Sequence, residues 1–243
     1  MKKILIGLLA FSLFSCTKDA GLSYVDKDAV YFQYSYKQYQ TVVNYDNIIF
    51  SFGMKADDVL VDTAKIVVKL MGSISDKDRY YAVRVFQDST TAIEGLDYEA
   101  IAPLQLFQAN KLQDTLRIVV KRSGLNSSHI AKEEKSIKLE IIDAEDFAVG
   151  ADKGRFMKLR LNNYLSEPKW WESYERSGLY YYHPEKWKIL MKFHEDFKKT
   201  GTEQPININM VSPYFSALRS YLANIPTYDK ETNQRILIDR LVD

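Results

Sequence analysis

The sequence predicts a mainly β protein, an antiparallel β-sandwich followed by a small α-helical C-terminal unit. Three observations lead there. From about Ala29, apolar residues recur at every second position in short runs. No helical stretch interrupts those runs up to about Asn163. Beyond Tyr164 the spacing lengthens to that of a helix.

Each run supports one strand. Ile66, Val68 and Leu70 alternate with Lys65, Val67 and Lys69, and Tyr81, Val83 and Val85 alternate with Ala82, Arg84 and Phe86. Leu116, Ile118 and Val120 repeat the pattern, as do Ile137, Leu139 and Ile141, and then Met157, Leu159 and Leu161. Successive side chains of a strand face opposite ways, so each run buries one face and wets the other. Val30–Tyr34 and Ile48–Met54 bring the total to at least seven strands, which favours antiparallel sheets over strand–helix–strand units. The sandwich domain is expected over residues 29–163.

The C-terminal unit, residues 164–243, is expected to be helical. Pro184 opens a segment with Trp187, Leu190, Met191, His194 and Phe197 at helical spacing, closed by Gly201. Ser212 and Pro213 read as the N-cap and first residue of a second helix, carrying Tyr214, Leu218, Tyr221 and Leu222 on one face and stopped by Pro226. A third short helix is expected from about Asp229 to Val242. Helices this short are marginal in water and need packing partners.

At the other end, Lys2 and Lys3 precede an apolar run from Ile4 to Phe14, too short to span a bilayer as a mature helix. The run ends in Leu13-Phe14-Ser15-Cys16, with an aliphatic residue at −3, a small one at −1 and cysteine at +1. This resembles the lipobox of bacterial lipoproteins, which implies a signal peptide over residues 1–15 and a diacylglycerol thioether on Cys16. Residues 16–28 read as the lipidated tether. Each acyl methylene buried in lipid contributes about 0.8 kcal/mol, so two or three chains make a lasting anchor. Cys16 is the only cysteine of 243 residues, which excludes disulfides, zinc–thiolate clusters and a cysteine nucleophile from the body. Cleavage removes two of 33 basic residues against 32 acidic ones, and a body so nearly neutral is not expected to bind nucleic acid.

Two segments carry a family resemblance. Thr91-Ala92-Ile93-Glu94-Gly95-Leu96-Asp97-Tyr98, the strand Leu112–Lys121, the acidic bend at Glu133-Glu134 and the strand that follows are similar to the Calx-β class of Ig-like sandwiches. Pro168-Lys169-Trp170-Trp171, Ser177-Gly178-Leu179-Tyr180 and Lys186-Trp187, with the lipobox, resemble the Bacteroidetes lipoprotein family called domain of unknown function 4843. The resemblance implies an outer-membrane or cell-surface lipoprotein, often encoded beside TonB-linked transporters and SusD-type binding lipoproteins, with no known enzymatic activity. Some Calx-β domains bind calcium through acids at one end of the sandwich. Glu94, Asp97, Asp143, Glu145 and Asp146 are the equivalents by type, but they form no dense acidic loop of the kind calcium requires.

The most suggestive local feature is aromatic. From Tyr164 to Trp187 the chain carries eight aromatic residues, among them Trp170, Trp171, Tyr180, Tyr181 and Tyr182. Exposed, they would stack on sugar faces or anchor a partner protein. Buried, they would fill the seam between sandwich and helices, which is the commoner use of such rings. Catalytic signals are lacking. His129, His183 and His194 are scattered in sequence, His194-Glu195 lacks the second histidine of a zinc protease helix, and no nucleophile elbow or phosphate loop is present. The expectation is therefore a non-enzymatic accessory protein with no cofactor beyond the lipid on Cys16. Its partners would be the membrane and either a polysaccharide or peptide ligand or a TonB-linked transporter complex. The alternative is a structural component touching only a neighbouring membrane protein.

Overall fold

The computed structural model describes residues 27–38, 40–198 and 208–243. The expected signal peptide, Cys16 and the expected tether up to residue 26 lie outside them, as does Gly201. The period-two runs become the strands of two packed sheets. In chain order the strands are β1 (Ala29–Phe32), β2 (Ser35–Gln38), β3 (Thr41–Asn44), β4 (Asn47–Ser51), β5 (Val61–Met71), β6 (Arg79–Val85), β7 (Leu104–Phe107), β8 (Gln113–Lys121), β9 (Lys135–Ile142), β10 (Ala148–Val149) and β11 (Phe156–Asn162). One sheet has the order β10-β1-β5-β8 and the other β4-β11-β9-β6-β7, while β2 and β3 form a separate ribbon.

The faces buried are those the alternation marks. Ala64, Ile66 and Val68 of β5 meet Leu116, Ile118 and Val120 of β8 across an antiparallel register that pairs Ile66 with Leu116. From the opposite sheet, Ile137, Leu139 and Ile141 of β9 and Met157, Leu159 and Leu161 of β11 close the core. Each such side chain contributes roughly 1.5–3 kcal/mol on leaving water. The sandwich is not wholly antiparallel. At one edge of each sheet a parallel pair forms, β1 with β10 and β4 with β11, the latter pairing Ile48 with Leu159. Parallel strands need a long crossover, and here most of the domain serves as the crossover between β4 and β11.

The C-terminal unit has its own core, in which Trp170, Trp171, Tyr174, Trp187, Leu190, Phe215, Leu218 and Leu222 are buried. A 3-10 turn over Trp171–Ser177 leads to α1 (Pro184–Phe193). The helix stops at Phe193 because His194 is extended (φ −155°), so Phe197 reaches the core from a separate short turn rather than from α1. The second helix, α2 (Ile208–Asn224), starts before the expected Ser212-Pro213 cap and contains Pro213. Burial explains the extra turn, since Val211 joins Phe215, Leu218 and Leu222 on the packed face, and that gain outweighs one missing backbone bond. Beyond Pro226 the expected helix over Asp229–Val242 does not form. The Asp229 carboxylate accepts the Glu231 N–H at 3.0 Å and the Thr232 hydroxyl at 2.8 Å, and Asn233 takes φ 60°. That turn leads into a hairpin of β12 (Arg235–Ile236) and β13 (Leu241–Val242), in which Ile236 and Ile238 face the core. Among the described residues, no helix is long and apolar enough to cross a membrane.

Candidate functional site

The two units meet where β4 and β11 end. The Ser51 hydroxyl donates to the Tyr164 carbonyl at 3.1 Å, and Gly53 lies so close to that backbone that a Cβ built on it would stand 2.3 Å from the same oxygen. Arg122, at the end of β8, donates from Nε to Asn163 Oδ1 at 2.9 Å and from Nη1 to the Ala56 carbonyl at 2.6 Å, with its guanidinium 5.6 Å from the Phe52 ring centre. These contacts build the floor of a cleft of about 370 Å³ along the seam. A second depression of about 360 Å³ shares Gly53, Asp57, Glu185 and Lys188 with the first, so the two adjoin along the seam as a groove in two parts. Both signs of charge line it: Arg122 and Lys188 against Asp57 and Glu185.

At the head of this groove three residues distant in sequence converge. His129 comes from the loop after β8, His183 is the N-cap of α1, and Asp229 opens the C-terminal turn. Their ligand-type atoms all lie within 4.8 Å of one another. His129 Nε2 sits 3.0 Å from Asp229 Oδ1, and the two imidazole rings are 5.1 Å apart, edge to face. Glu231 fixes the loop that carries His129 by accepting the backbone N–H of that residue at 2.6 Å and the Ser128 hydroxyl. His183 is 3 % exposed, and its Nδ1 accepts the Glu185 N–H at 3.2 Å. Its Nε2 points toward Asp229 Oδ2 from 3.7 Å, outside hydrogen-bond reach, and is without a hydrogen-bond partner among the described residues.

The electrostatics follow from this packing. Burial opposes charge on Asp229, but the Glu231 amide, His129 and Thr232 outweigh it and hold the carboxyl well below the usual carboxylate range. Burial pushes the His183 imidazole down, a direction that Asp229 resists and His129 reinforces. The buried arrangement is thus an ionised carboxylate with a neutral imidazole on one side and His129 on the other.

The aromatic residues singled out from the sequence do not form a stacking shelf. Trp170 and Trp171 are fully buried and stacked on each other at 5.6 Å, so neither offers a face to a ligand. Tyr182 packs edge-on against Trp171 at 5.0 Å with its hydroxyl on the Leu165 carbonyl, and the Tyr181 hydroxyl bonds the Leu237 carbonyl at 3.1 Å. Of the five, Tyr180 is the exposed one, with Arg219 5.7 Å from its ring centre. Tyr164, not one of the five, does line the groove. The histidines that look scattered in sequence are the ones brought together, except His194, which packs on Tyr214. Sequence carries no signal for that cluster, whose members belong to three separate elements.

The candidate calcium acids do not converge. Asp97, in the loop between β6 and β7, is buried beside the start of β9, where Lys135 lies 3.0 Å from its carboxylate and the Ile93 N–H donates to it at 2.7 Å. Asp143 and Asp146 follow the far end of β9 and accept the Val149 and Tyr80 amides. A strand of β9's length separates the two groups by roughly 25 Å at 3.3 Å per residue.

No curated protein sequence matches the chain. Several solved structures are similar. A candidate carbohydrate-binding protein from Bacteroides ovatus shares 10 % identity over 58 % of this chain and 38 % of its own, with a TM-score of 0.38. The calcium-binding-domain structure CBD12 from CALX1.2 shares 12 % identity over 56 % of this chain and 44 % of its own, at 0.38. A Bacteroides ovatus protein of unknown function shares 14 % identity over 54 % and 43 %, at 0.37. The chain spans less than half the length of each of these structures. At the level of sequence the match is to the family described as Domain of unknown function (DUF4843), over residues 24–195, which takes in the sandwich and the start of the helical unit; the chain belongs to that family.

Proposed function

We propose that this protein is a non-enzymatic accessory lipoprotein of the outer membrane, anchored through Cys16, which binds a polar polymer such as a polysaccharide in the groove between its two units. The observation that carries the reading is that two depressions adjoin along the seam. Two depressions of about 370 and 360 Å³ share four lining residues, which suits an extended ligand better than a single small molecule. Lys188 and Glu185 line both depressions as an ion pair 2.9 Å long, a donor and an acceptor side by side that suit a hydroxyl-rich ligand. The lipobox would keep the groove close to the membrane, beside a TonB-linked transporter.

A second reading has its own observation. Tyr80 and Leu106 are exposed register partners of β6 and β7, with exposed Leu104 two positions along the edge strand. An apolar edge of this kind favours contact with a neighbouring membrane protein. One experiment separates the readings. Soluble mature protein carrying Cys16→Ser is titrated calorimetrically with a panel of glycans and peptides, beside a Lys188→Ala variant. The groove reading expects one ligand class to bind and the variant to bind it at least ~10-fold more weakly, the loss of one charge-assisted hydrogen bond. Silence across the panel, together with co-purification of an outer-membrane protein that Leu106→Lys abolishes, supports the contact reading instead. The anchor is checked separately: radiolabelled palmitate should label the wild-type chain and not the Cys16→Ser form.

A further inference from the structure

We propose that His129, His183 and Asp229 form a binding site for a borderline divalent cation of the Zn²⁺ class, which clasps the sandwich loop to the C-terminal unit at the head of the groove. Three features carry it. The donors are two imidazole nitrogens and a carboxylate, the set that three-residue zinc sites use and that hard cations do not prefer. His129 Nε2 lies 3.0 Å from Asp229 Oδ1 and His183 Nε2 lies 3.7 Å from Asp229 Oδ2, so each imidazole faces its own carboxylate oxygen, and ligand atoms of all three residues lie within 4.8 Å of one another. Finally, His183 is 3 % exposed and aims an Nε2 without a hydrogen-bond partner among the described residues into the cluster.

The surroundings suit the role. Asp229 is held by the Glu231 amide and the Thr232 hydroxyl, so its carboxylate is oriented before a cation arrives. Glu231 Oε1 stands 3.6 Å from His129 Nε2 and adds a second negative charge beside the site. The groove supplies an entry path and leaves room for a fourth ligand. One local bond must be exchanged. His183 Nδ1 now accepts the Glu185 N–H, and ligation through Nε2 moves the ring proton to Nδ1, so that amide turns to solvent. Glu185 is only half-buried, which makes the exchange feasible. The alternative use of these residues is a hydrogen-bonded latch with no metal. Neither the clasp nor the latch depends on what the groove binds.

The test uses mature Cys16→Ser protein, which also removes the thiol as a competing ligand. Zinc titrated into metal-free protein is expected to bind once per chain and to raise the thermal midpoint, while calcium and magnesium do neither. His129→Ala should weaken zinc binding by at least about 100-fold, the upper end of what even an outer-shell change costs. His183→Ser should do the same, since serine keeps a helix-capping oxygen but removes the imidazole. His194→Ala, outside the cluster, should bind as the parent does. If either cluster variant fails to fold, Co²⁺ uptake by the parent protein decides: tetrahedral visible bands that zinc displaces support the site. Absence of one-to-one zinc binding, or binding that survives His129→Ala or His183→Ser undiminished, overturns the proposal and leaves the latch.

Discussion

His129 Nε2 lies 3.0 Å from Asp229 Oδ1, across one hundred positions of sequence, and the contact joins a sandwich loop to the turn that closes the C-terminal unit. Asp229 is 2 % exposed and satisfies His129, the Glu231 amide and Thr232 at once. Removing it strands several donors. Asp229→Ala is therefore expected to lower unfolding stability by about 2–4 kcal/mol, as for other broken buried polar networks. Urea denaturation measures it, with Asp239→Ala on the exposed hairpin as a control that changes little. An unchanged midpoint for Asp229→Ala would mean that the cluster holds nothing together.

Lys186 makes a pH-dependent prediction. Its side chain is fully buried, and Nζ donates to the carbonyls of Leu179 at 2.7 Å, Tyr181 at 2.5 Å and Ile238 at 2.9 Å, over the Tyr181 ring. Burial pushes its pKa down to about 7, against the pull of Asp239 and Glu175. Between pH 7 and the unfolded value near 10.5 the unfolded chain holds the extra proton, so stability rises with pH across that window. Stability is expected to rise from pH 6.5 to 9 by less than the full ~1.4 kcal/mol per tenfold fall in proton concentration, because the neutral amine keeps only two of its three N–H donors. Denaturation curves at those two values should show it, and Lys186→Met should flatten the rise. A parent protein equally stable at both values would contradict it.

Gly53 sets the approach of β4 to the chain leaving β11. Its absent side chain admits the Tyr164 carbonyl, and a Cβ would meet backbone at 2.3 Å. Gly53→Ala should cost about 1–3 kcal/mol through overpacking that no side-chain rotation relieves. Thermal unfolding reads the effect, and a midpoint equal to that of the parent would show that the seam adjusts.

The aromatic run divides by position. Trp170→Ala removes a ring that stacks on Trp171 and meets Tyr174, Trp187 and Phe197, and should destabilise by about 3–5 kcal/mol. Tyr180→Asn removes an exposed ring and keeps a residue suited to the positive φ of 56° there, so its effect should stay within about 0.5 kcal/mol. Chemical denaturation of both variants checks the contrast. Equal effects would place the two rings in the same environment.

How far the sequence could be read depends on the range of the interaction involved. The inward faces of β5, β8, β9 and β11 are legible because alternation is a property of neighbouring residues, and burial follows it directly. The parallel pairing of Ile48 with Leu159 is not, since it links positions more than a hundred apart. Ser212-Pro213 is a sound local start signal that tertiary burial of Val211 overrides. In the final hairpin, Ile236 and Ile238 offer too short an alternation to compete with a helical reading. Nothing in the sequence marks Lys186 as buried, because only the folded chain places three carbonyls around it. The cluster and the groove are long-range throughout, so the sequence points to the aromatic run and the fold points elsewhere.

The central claim is that ligand recognition takes place in the seam groove and not on the aromatic segment. The protein has three histidines, so its imidazole resonances form a small, assignable set. Two of them line the groove, and His194 is not among its lining residues. Titrating mature Cys16→Ser protein with the glycan or peptide that binds it best, and following those resonances by NMR, is the most direct measurement. Recognition in the groove predicts saturable shifts at His129 and His183 while His194 stays in place. Saturation of binding with His129 and His183 unmoved would contradict it.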